Sequence, residues 1–185
     1  MPYPDQELTN KAEYTPGHMK WRLFAFVLAA SGGVLGVLGA IIQELSQNSL
    51  LLIFVGAPMI EEVMKPAGVY ILLARWPKLL TSRIQTAFLA GVGGLSFALV
   101  ENILYLSVYF PQHTQALTLF RYTAGLTVHV VCSFIVGFGI NQQLLASLRG
   151  EIPFLMGNRK FFIIPMVIHG VFNIMAVTLG SNLNS

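Results

Sequence analysis

The sequence predicts an all-α, polytopic integral membrane protein, a helical bundle of about five transmembrane helices with a cytoplasmic N-terminus. Three observations carry this expectation. Hydrophobic residues make up 55% of the 185 residues and charged residues only 10%, with a mean hydropathy of +0.67; a soluble domain carries about 25% charged residues. The apolar residues gather into five stretches, each close to the ~20 residues a helix needs to cross a bilayer. Lys and Arg cluster in alternate connections between those stretches. A soluble enzyme and a disordered chain are excluded by this composition. The net charge of +3 and the pI near 9.2 do not imply a nucleic-acid partner, because the placement of the cations serves membrane orientation.

Residues 1–21 hold Pro2, Pro4, Pro16, Gly17 and mixed charges, which predicts a flexible cytoplasmic tail. Residues 22–185 form a single transmembrane domain. The first span, Leu23–Gln43, has no charge and is too long for the apolar core of a signal peptide. Its Ser31, Gly32, Gly33, Gly36 and Gly39 put small residues along the helix, as close helix packing requires. The second span, Leu50–Leu73, is apolar except for Glu61, Glu62 and Lys65, and Pro58 and Pro66 flank that cluster. Each proline removes a backbone donor and favours a kink. A broken helix is tolerated in a membrane where it lines a polar cavity.

The third span, Ile84–Phe110, holds one charge, Glu101, next to Asn102, and carries Gly91, Gly93 and Gly94. The fourth, Tyr122–Leu148, contains His129, with Ser133 one turn on; Arg121 sits where the third connection meets it. The fifth, Phe161–Gly180, contains His169 and Asn173, stacked one turn apart on one face. All five are continuously apolar rather than alternating, which excludes barrel strands. A single cysteine, Cys132, excludes a disulfide framework.

Orientation follows from nine of the eleven basic residues: Lys11, Lys20 and Arg22, then Arg75, Lys78 and Arg83, then Arg149, Arg159 and Lys160. All fall on one side of a five-span arrangement, which is then cytoplasmic. Trp21, Trp76, Tyr109 and Tyr122 stand at span ends, where amphipathic rings favour the interface.

The informative residues are the polar ones inside the spans. An ionisable side chain at mid-membrane costs about 2.5–3.5 kcal/mol on insertion scales, and the second span carries three within five residues. Lys65 can pair with Glu61 at i+4 or Glu62 at i+3, which leaves one carboxylate needing another partner. Glu101 has no cation near it in sequence. At a rise of 1.5 Å per residue, Glu61, Glu101, His129 and His169 lie about 18, 14, 11 and 17 Å below the outer edge of the membrane. Four helices thus bring two carboxylates and two imidazoles into one layer in the outer half of the bilayer. Such a layer can hold and deprotonate a water, and it suits a divalent metal, zinc first, with an open position for water. The Asn173 amide can donate to a tetrahedral oxyanion. Together these can hydrolyse an amide, and the amide at hand in a membrane is a peptide bond of a membrane protein. His-Glu-x-x-His, Gly-x-Ser-x-Gly and Gly-x-Gly-Asp motifs are absent.

Glu61-Glu62-Val63-Met64-Lys65 resembles the Glu-Glu-x-x-Lys motif of the PrsW family of membrane proteases. Phe97 with Glu101-Asn102, then Arg121 with His129, then His169-x-x-x-Asn173 resemble its later motifs in the same order, from about Ala57 onward. The family is related to the CAAX prenyl proteases and bacteriocin-processing enzymes, from which Glu101 and Lys65 distinguish this sequence. The departure from the family pattern is Asn173 in place of Asp, which fits an oxyanion donor better than a metal ligand.

The resemblance implies endoproteolysis of membrane-protein substrates in the cell membrane, in some members a regulatory first cut. The catalytic set it implies is Glu61, Glu62, Glu101, His129, His169 and Asn173. Glu61 is expected as general base, or in a metal site with Glu101, His129 and His169, and Lys65, Asn102 and Arg121 as supports. The competing expectation is a small ion or proton transporter, or a metal-binding scaffold, which would use the same buried groups. The absence of an inverted repeat weighs against transport.

Overall fold

The computed structural model describes residues 19–46 and 51–183. The expected tail lies outside the described residues except for Met19, Lys20 and Trp21, which already belong to the first helix. Among the described residues there is no strand. The helices are α1 (Met19–Ser46), α2 (Ala57–Met64), α3 (Ala67–Arg75), α4 (Arg83–Leu104), α5 (Gln115–Phe120), α6 (Leu126–Phe138), α7 (Gln142–Leu148) and α8 (Arg159–Leu183). Three π-helical turns join them, at Leu52–Gly56 before α2, Tyr105–Tyr109 after α4 and Arg121–Gly125 between α5 and α6. The protein is therefore an all-α multi-pass membrane bundle.

Among the described residues, four helical stretches are long and apolar enough to cross a membrane: Met19–Ile42, Arg83–Tyr109, Gln115–Phe138 and Arg159–Thr178. The second expected span is different in kind. The described part of Leu50–Leu73 is not one helix but a π-helical turn, α2 and α3 in succession. α2 closes at Lys65, whose N–H reaches the Glu61 carbonyl at 2.9 Å. Pro66 has no N–H to continue the ladder, and the chain restarts with Val69 and Tyr70 bonded to the Pro66 carbonyl. The break falls beside the charged cluster, as a polar lining allows.

The fourth span also differs. It begins at Gln115 rather than Tyr122 and ends at Phe138 rather than Leu148. Thr114 opens it by accepting from the Leu117 N–H. Asn141 then starts the separate helix α7 by accepting from the Leu144 N–H at 3.1 Å. Arg121 is consequently inside a helix and buried, not at an interface. The depth expected for His129 assumed a helix start nearly two turns late.

Close backbone approach sets the packing. α1 lies on α3 and α4, and α4 lies on α6. A Cβ at Gly33 would overlap the Gly93 carbonyl oxygen, and one at Gly93 would sit 2.6 Å from the Lys65 carbonyl oxygen. One at Gly94 would sit 2.6 Å from the His129 carbonyl oxygen. These glycines bring α1, α4, α6 and the α2–α3 break to near-backbone distance, which is how three polar segments come to share one interior. Gly33→Leu should lower stability by at least about 1–3 kcal/mol through overpacking. Gly39→Ala, whose Cβ would meet only the Met64 and Ile60 side chains at 3.4 Å or more, should be near neutral. Thermal unfolding in detergent compares the two.

An apolar cluster built from Ala25, Ala29, Val69, Leu72, Ala90, Val136, Leu144 and their neighbours fills the end of the bundle that carries the basic connections. A second, of Val37, Ala40 and Phe97, packs α1 against α4. The polar residues meet between helices α2, α4, α6 and α8.

Candidate active site

Glu61 and Glu62 leave the last turn of α2 in different directions, and both are buried. Lys65 is fully buried and lies 2.7 Å from Glu62 Oε1 and 3.2 Å from Glu61 Oε2. Its Nζ also stands over the Phe97 ring, 4.7 Å from the centroid. One cation thus serves both carboxylates of its own helix, and the surplus negative charge is met from other helices.

α8 supplies the first partner. His169 Nδ1 is 2.8 Å from Glu62 Oε1. A carboxylate only accepts, so the Nδ1–H donates to Glu62 and the Nε2 lone pair is left facing Glu61 Oε2 at 3.7 Å. α6 supplies the second. His129 Nε2 is 3.1 Å from Glu101 Oε2, so Nε2–H donates there and the Nδ1 lone pair faces Glu61 Oε2 at 3.9 Å. The two rings are edge to face, with centroids 4.8 Å apart.

Glu101 is held in turn. Arg121 Nη2 donates to its Oε2 at 2.8 Å. The Arg121 Nε donates to Asn102 Oδ1 at 2.9 Å, while Asn102 Nδ2 donates to the Arg121 carbonyl at 3.1 Å. The Tyr105 ring covers the guanidinium at 4.0 Å. Arg121 therefore uses two nitrogens in a fixed fork, and an ammonium could not do both. Arg121→Lys should reduce activity about 10- to 100-fold, the range for loss of an outer support of a metal ligand. A steady-state rate in detergent measures it, and a rate equal to wild type would show that the fork does not matter.

Among the described residues, Glu61, His129 and His169 form a group that could hold a metal ion: one ligand atom from each lies within 4.8 Å of the others, and all three residues are buried. The donor set fits. Three acceptors turned toward one another are mutually unfavourable unless a cation lies between them. His129 Nδ1 is a buried atom without a hydrogen-bond partner among the described residues, and Glu61 Oε2 makes no hydrogen bond there beyond its 3.2 Å ion pair with Lys65. Two His and one Glu is a ligand set of catalytic zinc sites. Each imidazole is backed by a carboxylate on its other nitrogen, Glu62 behind His169 and Glu101 behind His129, the arrangement that fixes a ligating ring. Glu101, expected in the metal group, stands on the opposite side of His129 from Glu61 and outside that group.

Asn173 is half-buried on α8, one turn beyond His169. Ser133 Oγ is buried one turn from His129, against Gly94. Sequence reasoning did not single out Tyr105. Its available signal was the position one helical turn after Glu101, on the face that meets Arg121.

The side chains that met as separate motifs along the sequence are thus one continuous network. The family model of the PrsW proteases, described as PrsW family intramembrane metalloprotease, matches residues 17–184. No curated protein and no solved structure matches the chain.

Proposed function

The chain belongs to the PrsW family of intramembrane metalloproteases, and from that premise we propose that it is an endopeptidase that cuts membrane-protein substrates with a water activated at Glu61, His129 and His169. The observation that carries this reading is the convergence of the Glu61 oxygen and the two imidazole lone pairs, each ring backed by its own carboxylate. Glu61, His129 and His169 would hold a divalent metal, zinc by its preference for this donor set. Bound there, the metal supplies Lewis acidity and a more acidic water.

The chain's own residues divide the remaining work. Glu61 accepts the proton of the attacking water at its carboxylate. The water oxygen bonds to the scissile carbonyl carbon, the carbon–nitrogen bond breaks, and the proton leaves on the new amine. Glu62 and Glu101 keep His169 and His129 in the tautomers whose free lone pairs face Glu61. Lys65 and Arg121 balance the buried carboxylates. Asn173 donates to the oxyanion. Asn173→Ala should therefore lower the rate constant about 100- to 1000-fold with KM little changed. A rate unchanged by that substitution would remove Asn173 from the site.

The basic end of the bundle faces the cytoplasm in this reading, and the site lies in the outer half of the bilayer. The substrate is a transmembrane or membrane-proximal segment, and the cut is a regulatory first cleavage. The test is terminal proteomics of membrane proteins from cells expressing wild type or Glu61→Gln at equal levels. New N-termini found only with the wild type would name the substrate and cut site. Identical termini, with a host proteome shown to contain a substrate cut by another member of the family, would overturn the reading.

A further inference from the structure

The connection between α7 and α8 is more ordered in its bonding than a simple linker needs. The amides of Asn141 and Asn158 pair reciprocally, Nδ2 to Oδ1 at 3.0 Å and 3.1 Å. Asn158 is buried, and Asn141 also caps α7. Ser147 Oγ, itself on a buried residue, accepts from the Leu155 N–H at 2.8 Å. Leu155 has φ +55°, the one positive value at a non-glycine residue among the described residues, and Gly157 beside it has φ +77°. A leucine is disfavoured in that left-handed region, so the surrounding bonds must impose it.

The consequence is a reversal of facing. Leu155 turns inward and packs on the apolar cluster that also receives Trp21 and Trp76. Its neighbours turn outward: Phe154 is 66% exposed and Met156 52%, and Leu148 at the end of α7 is 62% exposed. Three large apolar side chains are therefore presented by a clamped turn, where a soluble loop would carry polar ones. Arg149, Arg159 and Lys160 flank the segment in sequence and are exposed. Glu151 is the lone acid of the segment, near Arg149 at 3.9 Å. The level is marked independently. Leu155 shares its cluster with two indoles, and indoles settle at the headgroup boundary of a membrane.

We infer that residues 141–158 form a wedge that inserts Leu148, Phe154 and Met156 into the bilayer leaflet at the basic end of the bundle, with Arg149, Arg159 and Lys160 on anionic lipid headgroups. Apolar side chains ringed by cations are what an interfacial element needs: burial of the first in the acyl boundary, attraction of the second to anionic lipid. The wedge holds the inner ends of α3, α7 and α8 at a set depth, independently of the catalytic network.

Site-directed spin labelling of the full chain in vesicles tests this. Phe154→Cys and Glu151→Cys are labelled singly; Cys132 is fully buried and stays in place, with the unaltered chain as blank. In vesicles containing phosphatidylglycerol, the label at 154 should favour oxygen over an aqueous nickel chelate, at a depth of about 5–10 Å below the headgroups. The label at 151 should favour the chelate. Replacing phosphatidylglycerol by phosphatidylcholine, or Arg149, Arg159 and Lys160 together by Gln, should move the 154 label toward water. A 154 label as chelate-accessible as the 151 label in every vesicle would overturn the wedge. A deep 154 label that responds neither to lipid charge nor to loss of the three cations would overturn its anionic recognition. An Ile163→Cys label on the lipid-facing side of α8, unchanged throughout, verifies that the bundle is intact.

Discussion

Glu61→Gln is expected to abolish peptide-bond cleavage and metal retention while leaving the bundle as stable as the wild type. Wild-type protein purified without chelator should hold a single divalent ion, zinc by donor preference, measurable by elemental analysis. Gln keeps the volume of Glu but is a poor metal ligand and no base. The rate should fall at least about 10²–10⁴-fold, the contribution of a positioned general base. Stability should hold, because the α2 turn carries two acids and one cation, and Lys65 keeps its 2.7 Å bond to Glu62 after the change. The comparison that sharpens the result is with Glu62→Gln and Glu101→Gln. Each touches an imidazole but not the converging atoms, so each should cost only about 10- to 100-fold in metal affinity or rate. Equal effects of all three substitutions would mean that the group of Glu61, His129 and His169 is not special. A wild-type rate for Glu61→Gln would dismiss the site.

Lys65→Met should do the opposite: destabilise the protein before any question of chemistry arises. Lys65 is fully buried at the break between α2 and α3 and is the cation common to Glu61 and Glu62. Met matches its length and flexibility, so the change removes charge rather than volume. Removing one partner of a buried ion pair costs about 3–5 kcal/mol, because the remaining charges lie buried and uncompensated. Here two carboxylates are left, with the imidazoles of His169 and His129 beside them in place of the ammonium. The expected result is a large fall in thermal midpoint in detergent. Adding Glu62→Gln should return part of the loss, since the two residues share one interaction and their effects cannot add. An unchanged midpoint for Lys65→Met would mean that Glu61 and Glu62 do not rely on this cation.

The two experiments separate what a buried charge does for folding from what it does for chemistry. Lys65, Asn102 and Arg121 are the folding side of the network. Asn102 and Arg121 bond to each other and, through Arg121, to Glu101; Lys65 bonds to Glu62 and reaches the converging atoms only at its ion pair with Glu61 Oε2, 3.2 Å away. Glu61, His129 and His169 are the other side, because one ligand atom of each lies within 4.8 Å of the others and His129 Nδ1 has no hydrogen-bond partner among the described residues.

Much of this was legible along the chain. Long uncharged runs such as Leu23–Gln43 announce spans, since lipid offers no partner to a backbone that is not helical. Glu101 has no cation near it in sequence, which called for a partner on another helix or for protonation, and the structure supplies Arg121 at 2.8 Å. Boundaries were less legible. Tyr122 looked like an interfacial start to the fourth span, yet the Thr114 cap begins the helix earlier and puts Arg121 inside it. The second span's prolines announced a kink, and the structure goes further: Pro66 and the charged turn divide it into separate helices.

The sequence by itself determined that this chain is a helical membrane protein with ionisable residues on four of its spans. Hydropathy, helix breaking and charge are local properties, carried by each segment whatever its neighbours are. Only the tertiary structure decided which carboxylate holds which imidazole. His169 meets Glu62 across 107 positions of sequence, and His129 meets Glu101 rather than donating to Glu61. Those choices fix which ring nitrogens remain free, and they depend on how closely the glycines of α1 and α4 let backbones approach. That distance is a property of packed surfaces and is written in no single segment.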